Sequence, residues 1–177
     1  MNDIDMVVEI PYNSFVKYEF KNNIMRCDRV LHTAMAYPGN YGFFPKTLAG
    51  DGDPLDALMI CDYPIYPGIH VKVKIIGALL TTDEKGNDEK IIVVPSTDVD
   101  PNFTDINDYT DLPKWTLSKI KHFFEHYKDT ESDKWVKVEG FEHKKAAIQI
   151  YKKGLVAAIG YRSKLLEKKP YINKKCL

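Results

Sequence analysis

The sequence predicts an α+β fold, mainly β: an antiparallel sheet or small barrel with two helices packed outside it toward the C-terminus. Three observations predict it. Period-two alternation and Val/Ile-rich runs dominate the first two-thirds of the 177 residues. Proline then punctuates the chain at Pro95, Pro101 and Pro113. From about Leu112 the apolar residues fall instead at the three-and-four spacing of a helix.

Val16, Tyr18 and Phe20 alternate with Lys17 and Glu19, which gives a strand with one apolar and one polar face. Residues 24–31 and 56–62 read as further strands. The run from His70 to Thr82 is rich in Val and Ile, Gly86 marks a turn, and Ile91 to Val94 returns, so this region reads as a hairpin with a long loop. Leu117, Ile120, Phe123, Phe124 and Tyr127 form the stripe of a first helix. A second runs from about Glu142 to Leu166 on Ala147, Ile150, Tyr151, Leu155, Ala158 and Ile159. Beyond it the pattern is lost and Pro170 intervenes. The expectation is a single domain over residues 1–166 and a C-terminal extension over 167–177.

Composition narrows the function. Apolar residues make up 44% and charged residues 28%, a globular balance rather than a disordered one. The 25 Lys and Arg match the 25 Asp and Glu, so the chain has no general attraction for nucleic acid or acidic lipid, and electrostatic function must be local. No window approaches the ~20 apolar residues of a membrane helix, and the N-terminus lacks the basic and apolar regions of a signal peptide. Cys27, Cys61 and Cys176 are odd in number and form no Cys-x-x-Cys pair, which points to a reducing, cytoplasmic setting.

The sharpest feature is Asp51-Gly52-Asp53-Pro54-Leu55-Asp56. Two unit charges ~4 Å apart repel by about 4 kcal/mol at an effective dielectric near ~20. Such a cluster needs a cation or a proton, or it must splay into water. Gly52 and Pro54 make a regular strand unfavourable here, and a turn can aim the carboxylates inward while Ala57-Leu58-Met59-Ile60 anchors it. All-oxygen donors favour hard ions such as Mg²⁺, Mn²⁺ or Ca²⁺. An EF-hand is excluded, because Leu55 and Asp56 stand where that loop needs Asp or Asn and then Gly. Asp83 and Asp88 flank Gly86 and are brought back toward each other by the turn; alone they would read as a solvated hairpin tip. Lys90 has the parity to sit beside Asp88. Lys17 and Arg29 are either salt-bridge partners or grips for phosphate, a role that suits the two-pronged guanidinium of Arg29.

With these residues in view, the chain resembles the family I soluble inorganic pyrophosphatases of the short bacterial type. The resemblance rests on the Asp51–Asp56 motif. In order with it come Glu9-Ile10-Pro11, Lys17-Tyr18-Glu19, Asp28-Arg29, Tyr37-Pro38-Gly39-Asn40-Tyr41-Gly42, Thr82-Asp83-Glu84, Asp88-Glu89-Lys90 and the stretch from His122 to Asp129. It covers roughly residues 6 to 160. It implies a five-stranded antiparallel barrel of OB type with two flanking C-terminal helices. It implies hydrolysis of pyrophosphate by metal-activated water, with Asp53 as general base and no covalent phosphoenzyme. Glu19, Asp51, Asp56, Asp83 and Asp88 would hold several Mg²⁺ ions, some arriving with substrate. Lys17, Arg29, Tyr127 and Lys128 would grip the phosphates, supported by Glu9, Tyr37, Tyr41 and Lys90. It also implies a homohexamer; His122 and His126, four residues apart on the first helix, are either solvated residues at the edge of its apolar stripe or, as the resemblance suggests, part of a subunit contact. Two rival readings are an OB-type binding module for oligonucleotides or sugars, which the neutral composition disfavours, and a non-catalytic relative, which the intact acidic set disfavours.

Overall fold

The computed structural model describes residues 4–21 and 24–167. In chain order the elements are β1 (Ile4–Ile10), β2 (Val16–Lys21), β3 (Ile24–Val30), β4 (Asn40–Phe43), β5 (Asp56–Met59), β6 (His70–Asp83), β7 (Gly86–Asn87), β8 (Lys90–Pro95), α1 (Lys114–His126), β9 (Val136–His143) and α2 (Lys144–Glu167). Two single-turn 3-10 helices, Pro101–Phe103 and Tyr109–Asp111, fill the proline-punctuated stretch.

Five strands close on themselves in the order β1, β4, β5, β8 and β6, with β6 pairing back onto β1. The 14-residue β6 makes this possible: its start pairs β1, its middle β8 and its end β9. The hairpin of β2 and β3 forms a separate two-stranded sheet. One pairing corrects the all-antiparallel expectation, because β5 and β8 run parallel. The physical reason lies in their side chains. Ala57 and Met59 face one core cluster and Leu58 the other, and Ile91 and Val93 oppose Ile92 and Val94 in the same way. Strands apolar on both faces suit the doubly covered environment of parallel pairs. Tyr151 of α2 packs against the first cluster, and Ile120, Phe123 and Phe124 of α1 belong to the second.

Three strands depart from the sequence reading. β1 carries no simple alternation, because Met6, Val7 and Val8 are all buried. β4 begins inside the Tyr37–Gly42 segment, where Pro38-Gly39-Asn40 are residues that favour a turn over a strand. Gly42 is essential there: a Cβ on it would lie 1.9 Å from the Val7 carbonyl oxygen, so only glycine lets β4 approach β1. β9 lies between the helices, and Glu142, expected to open the second helix, instead lies in this strand, which ends at His143 before α2 begins at Lys144. Helix α2 reaches Glu167, so the expected extension lies, from residue 168 onward, outside the described residues. Among the described residues no helix is long and apolar enough to cross a membrane.

Candidate active site

The parallel pair builds the floor of the site. The register Ala57 to Ile91 sets Asp56 and Lys90 side by side where the two strands begin. Lys90 Nζ donates to Asp56 Oδ2 at 2.5 Å and also to Asp88 Oδ1, as its parity with Asp88 predicts. Tyr41 on β4 donates its hydroxyl to the same Asp56 oxygen at 2.5 Å. The Lys90 side chain is only 3% exposed. Burial alone would lower its pKa, but the Asp56 and Asp88 carboxylates outweigh burial and hold it firmly protonated. Burial pushes the Asp88 carboxyl upward against the pull of Lys90, and Asp56 adds to that push.

The acidic run from Asp51 to Asp56 is a turn pinned from behind. Thr47 accepts from the Leu55 amide at 2.9 Å and donates to the Phe44 carbonyl at 2.7 Å. Asp51 Oδ1 accepts from the Asp53 amide at 3.1 Å. The repulsion of this run is relieved in two ways: Asp51 and Asp53 are exposed to water, whereas Asp56 is half-buried and matched by Lys90.

A second lysine repeats the arrangement. Lys128, just beyond α1, donates to Asp83 Oδ2 at 3.0 Å and lies 3.5 Å from Glu84. Burial would raise the Asp83 pKa, but hydrogen bonds from the Lys85 amide and Lys128 bring it below its ordinary value. The Tyr127 ring stacks on Phe123 at 5.1 Å, and Tyr37 packs against both Tyr41 and Phe123. Burial pushes all three tyrosine hydroxyls above their ordinary range, so they remain protonated donors.

The β2–β3 hairpin forms the opposite wall. Lys17 and Lys21 both donate to Glu19, at 2.9 and 2.7 Å, and hold its carboxyl down at about 2. Lys17 also lies 3.3 Å from Asp28. Arg29 Nη1 donates to Asp28 Oδ2 at 2.9 Å, and Arg29 Nη2 lies 3.0 Å from Glu131 Oε1. Glu9 joins this wall to the ring by accepting from the Phe20 amide at 2.8 Å, and burial raises its pKa to about 7.

All fourteen residues singled out in the sequence line one cavity of about 390 Å³. Lys21, Asp28, Glu84 and Lys134 line it as well. Lys21 shares the strand face of Lys17 and Glu19, so period-two reading was able to find it. Glu131 gave no local signal, because its partner Arg29 lies far away in sequence. Among the described residues no three His, Cys, Asp or Glu side chains stand close enough to hold a metal ion; lysine ammonium groups bridge the buried carboxylates instead.

Comparison with known proteins is consistent along the chain. The family model described as inorganic pyrophosphatase matches residues 6–158. The inorganic pyrophosphatase of Campylobacter jejuni is 48% identical over 156 residues, spanning 87% of this chain and 91% of its own length. That of Saccharolobus solfataricus is 46% identical over 162 residues, 86% of this chain and 94% of its own. The solved Helicobacter pylori enzyme superposes with a TM-score of 0.88 at 46% identity, covering 90% of this chain and 95% of that one. The Thermus thermophilus structure gives a TM-score of 0.85 at 44% identity, covering 88% and 91%.

Proposed function

This chain belongs to the inorganic pyrophosphatase family, and from that premise we propose a mechanism of direct water attack with Asp53 as general base and no covalent phosphoenzyme. The reaction itself is the hydrolysis of pyrophosphate to two phosphates. The observation that carries the mechanism is the convergence of nine carboxylates and seven cationic side chains on one cavity. A purely acidic pocket would repel a polyanion, and a purely basic one would retain its product.

Magnesium is part of the proposal. The donor set fits it: every carboxylate in the cavity offers hard oxygen, and no thiol or imidazole lines the wall. Glu19, Asp51, Asp56, Asp83 and Asp88 would hold several Mg²⁺ ions, some arriving with substrate. When bound, the ions would supply Lewis acidity and lower the pKa of a coordinated water. The chain's own residues do the rest. Asp53, solvent-facing and next to Asp51 and Pro54, takes a proton from the attacking water. Lys17, Arg29, Tyr127 and Lys128 bind phosphate oxygens and neutralise charge on the departing group. Tyr41 and Lys90 orient Asp56; Tyr37 and Glu9 brace Tyr41 and the hairpin.

Phosphate release from pyrophosphate in Mg²⁺, with and without EDTA, tests this reading. Activity that survives EDTA contradicts it. Asp53→Asn is expected to lower turnover about 10²–10⁴-fold while the protein stays folded; near-normal hydrolysis at neutral pH would remove Asp53 from the base role. We read the closed strand ring as an OB-type barrel, residues 1–166 as one domain, and the cytoplasm as its compartment. Assembly as a homohexamer completes the proposal. It is supported by exposed Tyr63, Tyr66, Ile69 and Trp115 and by the exposed ring pair His122–His126, 4.7 Å apart on α1. Sedimentation velocity decides it.

A further inference from the structure

The β2–β3 hairpin shares no ladder with the strand ring, yet it carries Lys17 and Arg29, two of the four phosphate grips. Something must fix its cations against the grips that follow α1. We propose that Glu131 is the positioning residue for Arg29, an inference that rests on the pyrophosphatase reading of this cavity.

Glu131 stands in the loop after α1, and its amide donates to the Lys128 carbonyl at 2.8 Å. Its backbone therefore moves with the loop that begins at Tyr127 and Lys128. Its side chain is 12% exposed and spans two cations. Oε1 lies 3.0 Å from Arg29 Nη2, and Oε2 accepts from Lys134 Nζ at 2.5 Å. Arg29 is thus held between Asp28 on its own strand and Glu131 across the gap. A second tie runs alongside: the Thr130 hydroxyl donates to the His32 carbonyl at 2.5 Å, just past β3.

The character of the pair matters. At 3.0 Å the charges touch, but Glu131 Oε1 is not aligned as an acceptor, and Arg29 Nε has no acceptor among the described residues. Glu131 fixes the guanidinium by charge and contact, not by a directional hydrogen bond. Lys134 offsets the negative charge of Glu131, so the carboxylate does not repel the incoming anion.

The test is a double-mutant cycle on the full chain with saturating Mg²⁺, using Glu131→Gln, Arg29→Lys and the pair. Misplacing one charged group by an ångström costs up to about 10²-fold in rate. Glu131→Gln is expected to lower kcat about tenfold with KM changed less than about threefold. In the Arg29→Lys background the same change should cost less than about twofold, because the group it aims is already gone. A merely structural role would lower the melting temperature and leave kcat of the folded fraction intact, or would reduce kcat by the same factor in both backgrounds; either result overturns the proposal. Should Glu131→Gln melt below the assay temperature, Glu131→Asp, whose shorter arm cannot span the gap, replaces it with the same expectations. A wild-type chain that releases no phosphate would instead overturn the function on which the inference rests.

Discussion

Lys90 and Lys17 face carboxylates across the same cavity but sit in different surroundings. Lys90 is rooted in β8 of the strand ring and is 3% exposed; Lys17 stands on the detached hairpin and is 25% exposed. Each touches two acids: Asp56 and Asp88 for Lys90, Glu19 and Asp28 for Lys17. The contrast teaches how one pocket divides its labour. The acids of the two walls are about equally exposed, but the ring-side ammonium is desolvated, so its pairing is part of folding as well as of binding. Hairpin-side charges keep water, contribute little to stability, and are free to exchange a protein partner for a phosphate.

Lys90→Met probes the ring wall and has the largest expected effect. It leaves Asp56 and Asp88 facing each other without their cation, and breaking a buried pair in this way costs about 3–5 kcal/mol. The partial exposure of both carboxylates, 27% and 24%, places the expected loss at the low end, about 3 kcal/mol, in urea denaturation with EDTA. Adding Mg²⁺ should recover more stability in the variant than in the wild type, because a cation again meets the two acids. A variant as stable as wild type in EDTA would erase the distinction between the walls.

The hairpin wall is expected to respond in kinetics, not in folding. Arg29→Lys keeps the charge but loses the fork that binds two phosphate oxygens. KM for pyrophosphate should rise about tenfold, the scale of one charge-assisted hydrogen bond, while the melting temperature moves by less than about 3 °C. A large drop in melting temperature with KM unchanged would reverse the assignment of the two walls.

How much of this was legible in the sequence follows the range of each interaction. The run from Asp51 to Asp56 is local, and its dilemma of repulsion was stated by the residues themselves. The position of Lys90 beside Asp88 followed from parity alone. The parallel pairing of β5 and β8 was not legible as such, although the uninterrupted apolar residues Leu58, Met59 and Ile91–Val94 carried its signature. Strand β4 was hidden by the turn-forming Pro38-Gly39-Asn40, because the need for Gly42 arises only when β1 lies against it. Strand β9 was hidden by its edge position on β6, where burial is partial and the apolar rhythm weak. Glu131 was invisible because its role depends on a contact across the fold.

Glu9 joins the two walls, and its titration gives the smallest predicted effect and the finest test of the contrast. It lies on β1 of the ring and accepts from the Phe20 amide of the hairpin. Burial raises its pKa to about 7 from an ordinary 4.5. Between these values the folded chain holds a proton that the unfolded chain has released. Stability therefore falls as pH rises from about 4.5 to about 7, and is flat outside that window as far as Glu9 is concerned. Glu9→Gln keeps an oxygen acceptor for the Phe20 amide and removes the titration. Measured in EDTA, the variant should match or trail wild type at pH 4.5 and gain on it by about 1–2 kcal/mol at pH 7.5, less than the full shift implies because the cavity is open to water. Parallel stability curves across this window would mean that the carboxylate at the joint is solvated like those of the hairpin, and would move the boundary between the two walls onto β1.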